Sequence, residues 1–113
     1  MTNKTIAPFR YEDHMPENYT PLYSLYVGSR EGLPFSEEDL DVLFKSVAEI
    51  FPSFTVLTAE GFYLGKRLPT RVIQIATSDV QRVEELCQII GKILDQKWVG
   101  LNVGGAYSSI KIN

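Results

Sequence analysis

Two segments of this chain repeat apolar residues at helical spacing, and both lie between short runs that are typical of β-strands. The first stripe consists of Leu40, Leu43, Phe44, Val47 and Phe51, and the second of Val80, Val83, Leu86, Cys87, Ile90, Ile93 and Leu94. Residues three and four positions apart share one side of a helix, so each segment predicts a helix with one buried side. Ser36, and either Ser78 or Asp79, precede the stripes and are suited to cap the helix N-termini.

Five predicted strands surround these helices. They cover residues 22–27, 54–64, 70–77, 98–103 and 106–112, which are rich in β-branched, aromatic and aliphatic residues. Gly61 interrupts the second strand and indicates either a bulge or the close approach of another group to the backbone. Residues 65–69 are predicted to turn the chain back, and Gly104-Gly105 predicts a two-residue hairpin.

The predicted order of strand, helix, two strands, helix and strand is the split βαβ arrangement of ferredoxin-like domains. The sequence therefore predicts an α+β fold, a ferredoxin-like βαββαβ(β) antiparallel sheet with both helices on one face. Strand alternation places on the open face Tyr26, Val72 and Gln74, with either Thr55 and Leu57 or Val56 and Thr58. Because an apolar and aromatic sheet face seldom remains in water, we expect it to contact a ligand or a second copy of the chain. The predicted assembly is a dimer or a higher homo-oligomer.

Length and charge limit the organisation and the partners of the chain. At 113 residues it is long enough for one hydrophobic core, and we predict a domain over 22–113 preceded by a Pro-containing arm over 1–21. The formal net charge of −3 argues against DNA, RNA or an anionic membrane surface as a partner. A single cysteine cannot form an internal disulfide, and no apolar run is long enough to span a bilayer, so we expect a cytoplasmic protein.

Few residues are suited to catalysis or to metal binding. His14 lies beside Glu12 and Asp13, but side chains of adjacent residues point apart and do not enclose a metal. Cys87 belongs to an apolar stripe, which is typical of a small core residue rather than a nucleophile. Glu60 could act as a general acid or base if it is buried, or could be a structural charge paired with a neighbouring cation. We therefore predict no catalytic residue, no metal and no cofactor.

A cluster of aromatic and cationic residues suits a small nucleotide, because aromatic rings stack on bases and Arg or Lys donors bind phosphates. The candidate ligand-binding residues are Arg30, Phe62, Tyr63, Lys66, Arg67, Arg71 and Asn102. The alternative interpretation is a solvated hairpin tip with ordinary aromatic packing behind it.

Three short segments also carry a resemblance to a known family. They are Leu25-Tyr26-Val27-Gly28, the run from Phe54-Thr55-Val56 into Ala59-Glu60-Gly61-Phe62-Tyr63-Leu64-Gly65, and Asp95-Gln96-Lys97-Trp98-Val99. Over residues 22–112 the chain resembles the first Thoeris anti-defence family of phage and prophage proteins. The resemblance implies a non-enzymatic protein that sequesters a cyclic ADP-ribose-type immune signal, without cleaving it, in the host cell cytoplasm.

Three functional hypotheses follow from these observations. The first is a homo-oligomeric sponge for a small cyclic nucleotide, in which Phe62 and Tyr63 line the pocket and Lys66, Arg67 and Arg71 hold phosphates. The second is a small ferredoxin-like enzyme that uses Glu60 or a tyrosine as its acid-base group. The third is a module that binds another protein through its open sheet face.

Overall fold

A computed structural model describes residues 18–113 of the chain. The helices are α1 (Glu37–Ile50) and α2 (Val80–Ile93), and the strands are β1 (Leu22–Gly28), β2 (Thr55–Tyr63), β3 (Lys66–Ala76), β4 (Trp98–Val103) and β5 (Ala106–Lys111). A short 3-10 turn over Arg30–Gly32 follows β1. The arm predicted over 1–21 lies mostly outside the described residues, so its separation from the domain stays a prediction.

The five strands form one antiparallel sheet in the order β2-β3-β1-β4-β5. The first four strands have the order of a ferredoxin-like sheet, and β5 extends it beyond β4 through a two-residue turn. Gly104 and Gly105 both have positive φ in that turn, which is why glycine occupies these two positions. The predicted α+β class and strand order are confirmed.

Both helices cover the same face of the sheet. Leu25 lies at the centre of that face, opposite Ile73 on β3 and Leu101 on β4. Leu43 of α1 and Leu86 of α2 are fully buried in the same core cluster. Each such side chain contributes about 1.5–3 kcal/mol through burial, so the layer between helices and sheet supplies most of the hydrophobic stabilisation.

Side-chain caps define where the helices begin. The Ser36 hydroxyl accepts a hydrogen bond from the Asp39 backbone N–H at 3.0 Å. At α2 the cap is Asp79 rather than Ser78, because the Asp79 carboxylate accepts from the Arg82 backbone N–H at 3.1 Å. Each cap satisfies a backbone donor that has no partner within the helix.

The end of α2 is closed by backbone hydrogen bonds. The Gln96 N–H donates to the Gly91 carbonyl at 2.7 Å and the Asp95 N–H to the Lys92 carbonyl at 3.4 Å, with Asp95 at φ 54°. This pair of bonds is a Schellman motif. Gly91 itself lies against Ile112, whose side chain occupies the space that a Cβ at position 91 would need.

The turn predicted over 65–69 is wrong. Leu64 and Gly65, at φ 50° and φ 78°, form a two-residue turn, and β3 begins directly at Lys66. Pro69 is tolerated inside β3 because it lies beyond the end of β1, where its nitrogen faces no strand carbonyl. Its own carbonyl accepts the Ser29 N–H at 3.0 Å.

Gly61 marks a close approach rather than a bulge. It pairs with Leu68 in an uninterrupted register, and a Cβ there would lie 2.9 Å from the Thr70 hydroxyl. Over residues 18–113, neither helix has the length and hydropathy needed to cross a bilayer.

Candidate ligand-binding face

The sheet face turned away from the helices carries one row of polar side chains and one apolar and aromatic row. Ser24 pairs with Gln74 on one side and with Asn102 on the other, and Asn102 pairs with Tyr107. Directly opposed residues share a face, so these four form a polar row across four strands. The neighbouring row contains Leu57, Val72, Tyr26, Gly100 and Ser109.

The predicted membership of the open face is confirmed, while its contact with a ligand or a second copy stays a prediction. Tyr26, Val72 and Gln74 lie on it, and the alternative left open for β2 is decided by register. Thr55 pairs with Gln74 and Leu57 with Val72, so this pair, not Val56 and Thr58, shares the open face.

Two tyrosines form the aromatic part of this face. The ring centroids of Tyr26 and Tyr107 lie 5.9 Å apart with an interplanar angle of 58°. Gly100 lies opposite Tyr26, beneath the Tyr107 ring, and any Cβ at position 100 would collide with that ring and its hydroxyl. Tyr107 is still 62% exposed, so the pair offers a ring surface to a ligand. The absence of a side chain at Gly100 creates the space that brings the rings together.

The polar row supplies hydrogen-bonding groups next to these rings. The Asn102 carboxamide oxygen accepts the Gly105 N–H at 3.2 Å, which fixes the side chain and leaves its nitrogen as the donor toward a ligand. The Gln74 amide nitrogen lies 3.5 Å from the Ser24 hydroxyl. Among the described strand residues that share this face, none carries a carboxylate.

The β2–β3 hairpin projects beyond the rest of the sheet. Gly28 at the end of β1 pairs with Thr70, so residues 60–69 extend past the last residue of β1. Phe62 and Tyr63 near its tip are 66% and 69% exposed. The Arg67 guanidinium lies 5.9 Å from the Phe62 ring centroid and 3.1 Å from the Glu60 carboxylate. The sequence allowed two roles for Glu60, a buried general acid or base and a charge paired with a neighbouring cation. The structure shows the second: Glu60 is exposed and paired with Arg67.

Arg30 and Arg71 are engaged in structural contacts near α1. The Arg30 guanidinium donates to the Ile93 carbonyl at 2.7 Å and lies 3.4 Å from the Asp39 carboxylate. It thereby links the end of α2 to the first turn of α1. Arg71 pairs with Val27 on the helix side of the sheet, and its guanidinium lies 4.8 Å from the Phe35 ring centroid.

The seven predicted ligand-binding residues do not form one cluster within a single chain. Phe62, Tyr63, Lys66 and Arg67 share the hairpin tip, Arg30 and Arg71 lie by α1, and Asn102 lies on the open face. Along β3, Arg67 is seven residues from Gln74, the residue in line with Asn102. At about 3.3 Å per residue, roughly 23 Å of strand separates the two groups. A ligand-binding role for these residues stays a prediction.

Cys87 is a core residue, as its place in the apolar stripe predicts. It is fully buried, and burial, with a smaller effect of the nearby Glu84 carboxylate, raises the pKa of its thiol from 9.0 to about 12. In the part of the chain that the structure describes, no three His, Cys, Asp or Glu side chains are grouped to hold a metal ion. Glu12, Asp13 and His14 lie outside the described residues.

Two solved structures share the fold over nearly their whole length. One is a phage SAM lyase in complex with S-methyl-5′-thioadenosine, with a TM-score of 0.62, 16% identity, and coverage of 87% of this chain and 95% of that chain. The other is a phage SAM lyase in the apo state, with a TM-score of 0.63, 18% identity, and coverage of 88% and 96%. A scan against protein-family models and a search of curated proteins found no match.

These comparisons bear on three predictions: that the protein is not an enzyme, that it resembles the Thoeris anti-defence family, and that it binds a nucleotide. The expectation of a non-enzymatic protein is wrong, because the neighbours that share this fold are lyases, and we do not retain it. The neighbours are phage proteins, in keeping with the phage association of the sequence resemblance, but they do not confirm the Thoeris family. One of them binds a small adenosine derivative, which agrees with the broader expectation of a nucleotide-like ligand.

Of the polar row and the tyrosine pair with its glycine, Asn102 alone is among the ligand-binding candidates predicted from the sequence; the sequence prediction missed Ser24, Tyr26, Gln74, Gly100 and Tyr107. Aromatic and cationic side chains directed that prediction to the β2–β3 hairpin, whereas a glycine in a strand is informative only once its neighbour across the sheet is known. The position of Tyr107 on the open face could have been predicted from the Gly104-Gly105 hairpin, because a two-residue turn fixes Tyr107 opposite Asn102.

Proposed function

We propose that this protein is a lyase that cleaves S-adenosylmethionine on the open face of its sheet and releases S-methyl-5′-thioadenosine. The observation that carries the proposal is the pairing of Tyr26 and Tyr107 over Gly100, beside the polar row, in a fold shared with phage SAM lyase. The broader conclusion, a small adenosine-containing ligand, also agrees with the nucleotide ligand expected from the sequence.

The chemistry of the face suits this ligand better than it suits a phosphate. Methylthioadenosine is uncharged and presents an aromatic base, ribose hydroxyls and a thioether. Tyrosine rings can stack on the base and hold a sulfonium cation against their faces, while Ser24, Gln74 and Asn102 can hydrogen-bond to the base or the ribose. Lysine and arginine side chains, which a phosphate would require, lie mainly at the hairpin and at the sheet ends.

The proposed reaction needs neither water nor a general base. In S-adenosylmethionine the bond between sulfur and the aminobutyrate chain breaks, and its electron pair remains on sulfur, which becomes a neutral thioether. The carboxylate oxygen of the same substrate forms the new bond to that carbon and closes a lactone, so no proton is transferred. Opposite charges disappear in this step, and an environment poorer in water therefore lowers its barrier. A face without carboxylates is consistent with such a reaction.

A second copy of the chain completes the site in this proposal. An exposed sheet covers a ligand on one side only, whereas small-molecule sites enclose most of their ligand. The projecting hairpin presents Phe62 and Tyr63 to solvent on its two opposite faces, and one of these rings is placed to cover the open face of a neighbouring copy. The residues predicted from sequence at the hairpin and at Asn102 would then meet across the interface, although they are far apart within one chain.

The first experiment measures products. Purified protein incubated with S-adenosylmethionine should release methylthioadenosine and an aminolactone, identified by mass spectrometry. Tyr107→Ala should lower kcat/KM roughly tenfold or more, because it removes the exposed ring of the pair. Tyr19→Ala is the matched control, since Tyr19 is an equally exposed tyrosine outside the strands. Unchanged substrate after prolonged incubation would reject the lyase proposal.

The second experiment tests the shared site. Tyr107→Ala and the double variant Phe62→Ala/Tyr63→Ala should each be weakly active, and mixing them should restore activity if each site combines the face of one copy with the hairpin of another. Activity from a monomer, with no recovery on mixing, would reject the shared site while leaving the lyase proposal intact. A cyclic ADP-ribose-type nucleotide added to the same assay should inhibit the release of methylthioadenosine if it binds the same site. Unchanged activity would argue against the ligand expected from the sequence.

A further inference from the structure

A second concave site lies at the end of α2, apart from the pair of tyrosines. It is a cleft of about 400 Å³, within the size range of small-ligand pockets. Its lining includes three lysines and the single tryptophan of the chain, namely Lys92, Lys97, Lys111 and Trp98, together with Asp95 and Gln96. Three ammonium groups against one carboxylate give it a positive balance in a chain whose formal net charge is −3.

The walls of this cleft are held in place by specific contacts. Gln88 donates to the Lys111 carbonyl at 2.8 Å and accepts from the Asn113 N–H at 2.9 Å. The Ile112 N–H donates to the Lys97 carbonyl at 3.0 Å, and its side chain packs onto Gly91. These contacts fix the segment after β5 against α2, so the concavity does not depend on mobile side chains alone.

The lining combines a stacking surface with anion donors. Trp98 is 54% exposed and lies directly opposite Lys111 in the β4–β5 register, so both residues belong to the open face of the sheet, one row beyond Gly100 and Ser109. An indole ring stacks on a nucleobase, and lysine ammonium groups bind phosphate oxygens through charge-assisted hydrogen bonds. The combination therefore favours a ligand with both an aromatic base and a phosphate group.

We propose that the cleft formed by Lys92, Lys97, Lys111 and Trp98 binds a small phosphate-bearing nucleotide. Three lysines line one cleft of a net-negative chain, which favours a compact anion over an extended nucleic-acid backbone. The proposal is independent of lyase activity, because it uses a different set of side chains and a ligand group that methylthioadenosine lacks.

The single tryptophan gives a direct measurement. ADP added to the protein should change the fluorescence of Trp98 in a saturable way, with weaker binding of adenosine, which lacks the phosphates, and of pyrophosphate, which lacks the base. Raised salt should weaken ADP binding, because salt screens the lysine–phosphate attraction. A short single-stranded oligonucleotide that bound more tightly than ADP would overturn the proposal in favour of a nucleic-acid surface.

Lysine variants test which side chains bind ADP. Lys97→Ala/Lys111→Ala should weaken ADP binding roughly tenfold or more, as expected from the loss of charged hydrogen-bond donors. Lys45→Ala is the control, because Lys45 is an exposed lysine on α1 outside the cleft lining. An absent fluorescence response to ADP, or equal affinity in the double lysine variant and the wild type, would overturn the proposal.

Discussion

Gly91 shows how one residue can oppose the preference of its own helix. Alanine normally stabilises a helix interior relative to glycine by about 1 kcal/mol. In α2, however, a Cβ at position 91 would overlap the Ile112 side chain, which packs against the backbone of the helix. Close packing of the segment after β5 therefore depends on the absence of a side chain at Gly91.

We predict that Gly91→Ala lowers the free energy of unfolding by about 1–2 kcal/mol, because overpacking outweighs the gain in helix propensity. Urea denaturation measures the change. In an Ile112→Ala background the overlap is gone, and the same substitution should instead be neutral or stabilising. Stabilisation by Gly91→Ala in the wild-type background would contradict the close packing of Ile112 on α2.

Cys87 gives a second residue-scale prediction through its pKa. The thiol titrates at 9.0 when exposed and at about 12 in the fold, so the unfolded chain loses its proton first as the pH rises. The contribution of Cys87 to stability is complete below pH 9 and is lost progressively from pH 9 toward pH 12, at about 1.4 kcal/mol per pH unit.

The free energy of unfolding, measured by urea denaturation at several pH values from 9 to 12, should therefore decrease more steeply with pH for the wild type than for Cys87→Ala. The two proteins differ only at residue 87, so the difference between them isolates the contribution of the thiol. Thiol reagents should modify Cys87 only after unfolding. Identical pH dependence in the two proteins, or rapid labelling of the native protein, would show that the thiol is accessible.

At the scale of elements, apolar periodicity was sufficient to locate both helices, and alternation was sufficient to locate all five strands. The caps at Ser36 and Asp79 and the Gly104-Gly105 turn depend on the residue types at a few neighbouring positions, so one sequence is enough to predict them. The β2–β3 turn was misplaced because Leu64 is a poor residue for a positive φ, while Pro69 normally ends a strand. Tertiary pairing outweighed both preferences.

The candidate site was less predictable than the fold. Arg30 and Arg71 have the chemistry of phosphate ligands, but their partners, the Ile93 carbonyl and the Phe35 ring, are distant in sequence. Pairing of Tyr26 with Tyr107 likewise depends on the order of β1, β4 and β5 in the sheet. Such contacts emerge only after the strands are placed in order.

Leu64 provides the prediction at this scale. It occupies the first position of the β2–β3 turn at φ 50°, is 85% exposed, and has the conformation that asparagine adopts more readily. Leu64→Asn should raise the free energy of unfolding by about 1 kcal/mol in thermal or urea denaturation. Leu64→Val, a β-branched residue at the same φ, should lower it. If valine were tolerated as well as asparagine, residue 64 would not occupy a position with positive φ.

At the scale of the whole molecule, one face of the sheet builds the core and the other face is free to bind a ligand. The helices and one side of the sheet form the hydrophobic core, whereas the opposite side keeps Tyr26, Tyr107 and a row of amide and hydroxyl groups accessible. The hairpin extends past the sheet with its own exposed aromatic tip. In the proposed assembly these two features meet between copies, and the adenosine ligand lies between them.

The most direct test maps the ligand by NMR, titrating isotope-labelled protein with S-methyl-5′-thioadenosine. We predict saturable shifts centred on the backbone amides of Ser24, Tyr26, Gly100, Asn102 and Tyr107, with smaller changes at the hairpin tip. Shifts confined to the helix side of the sheet, or to the cleft at the end of α2, would contradict the assignment of the open face as the site of an adenosine-dependent lyase.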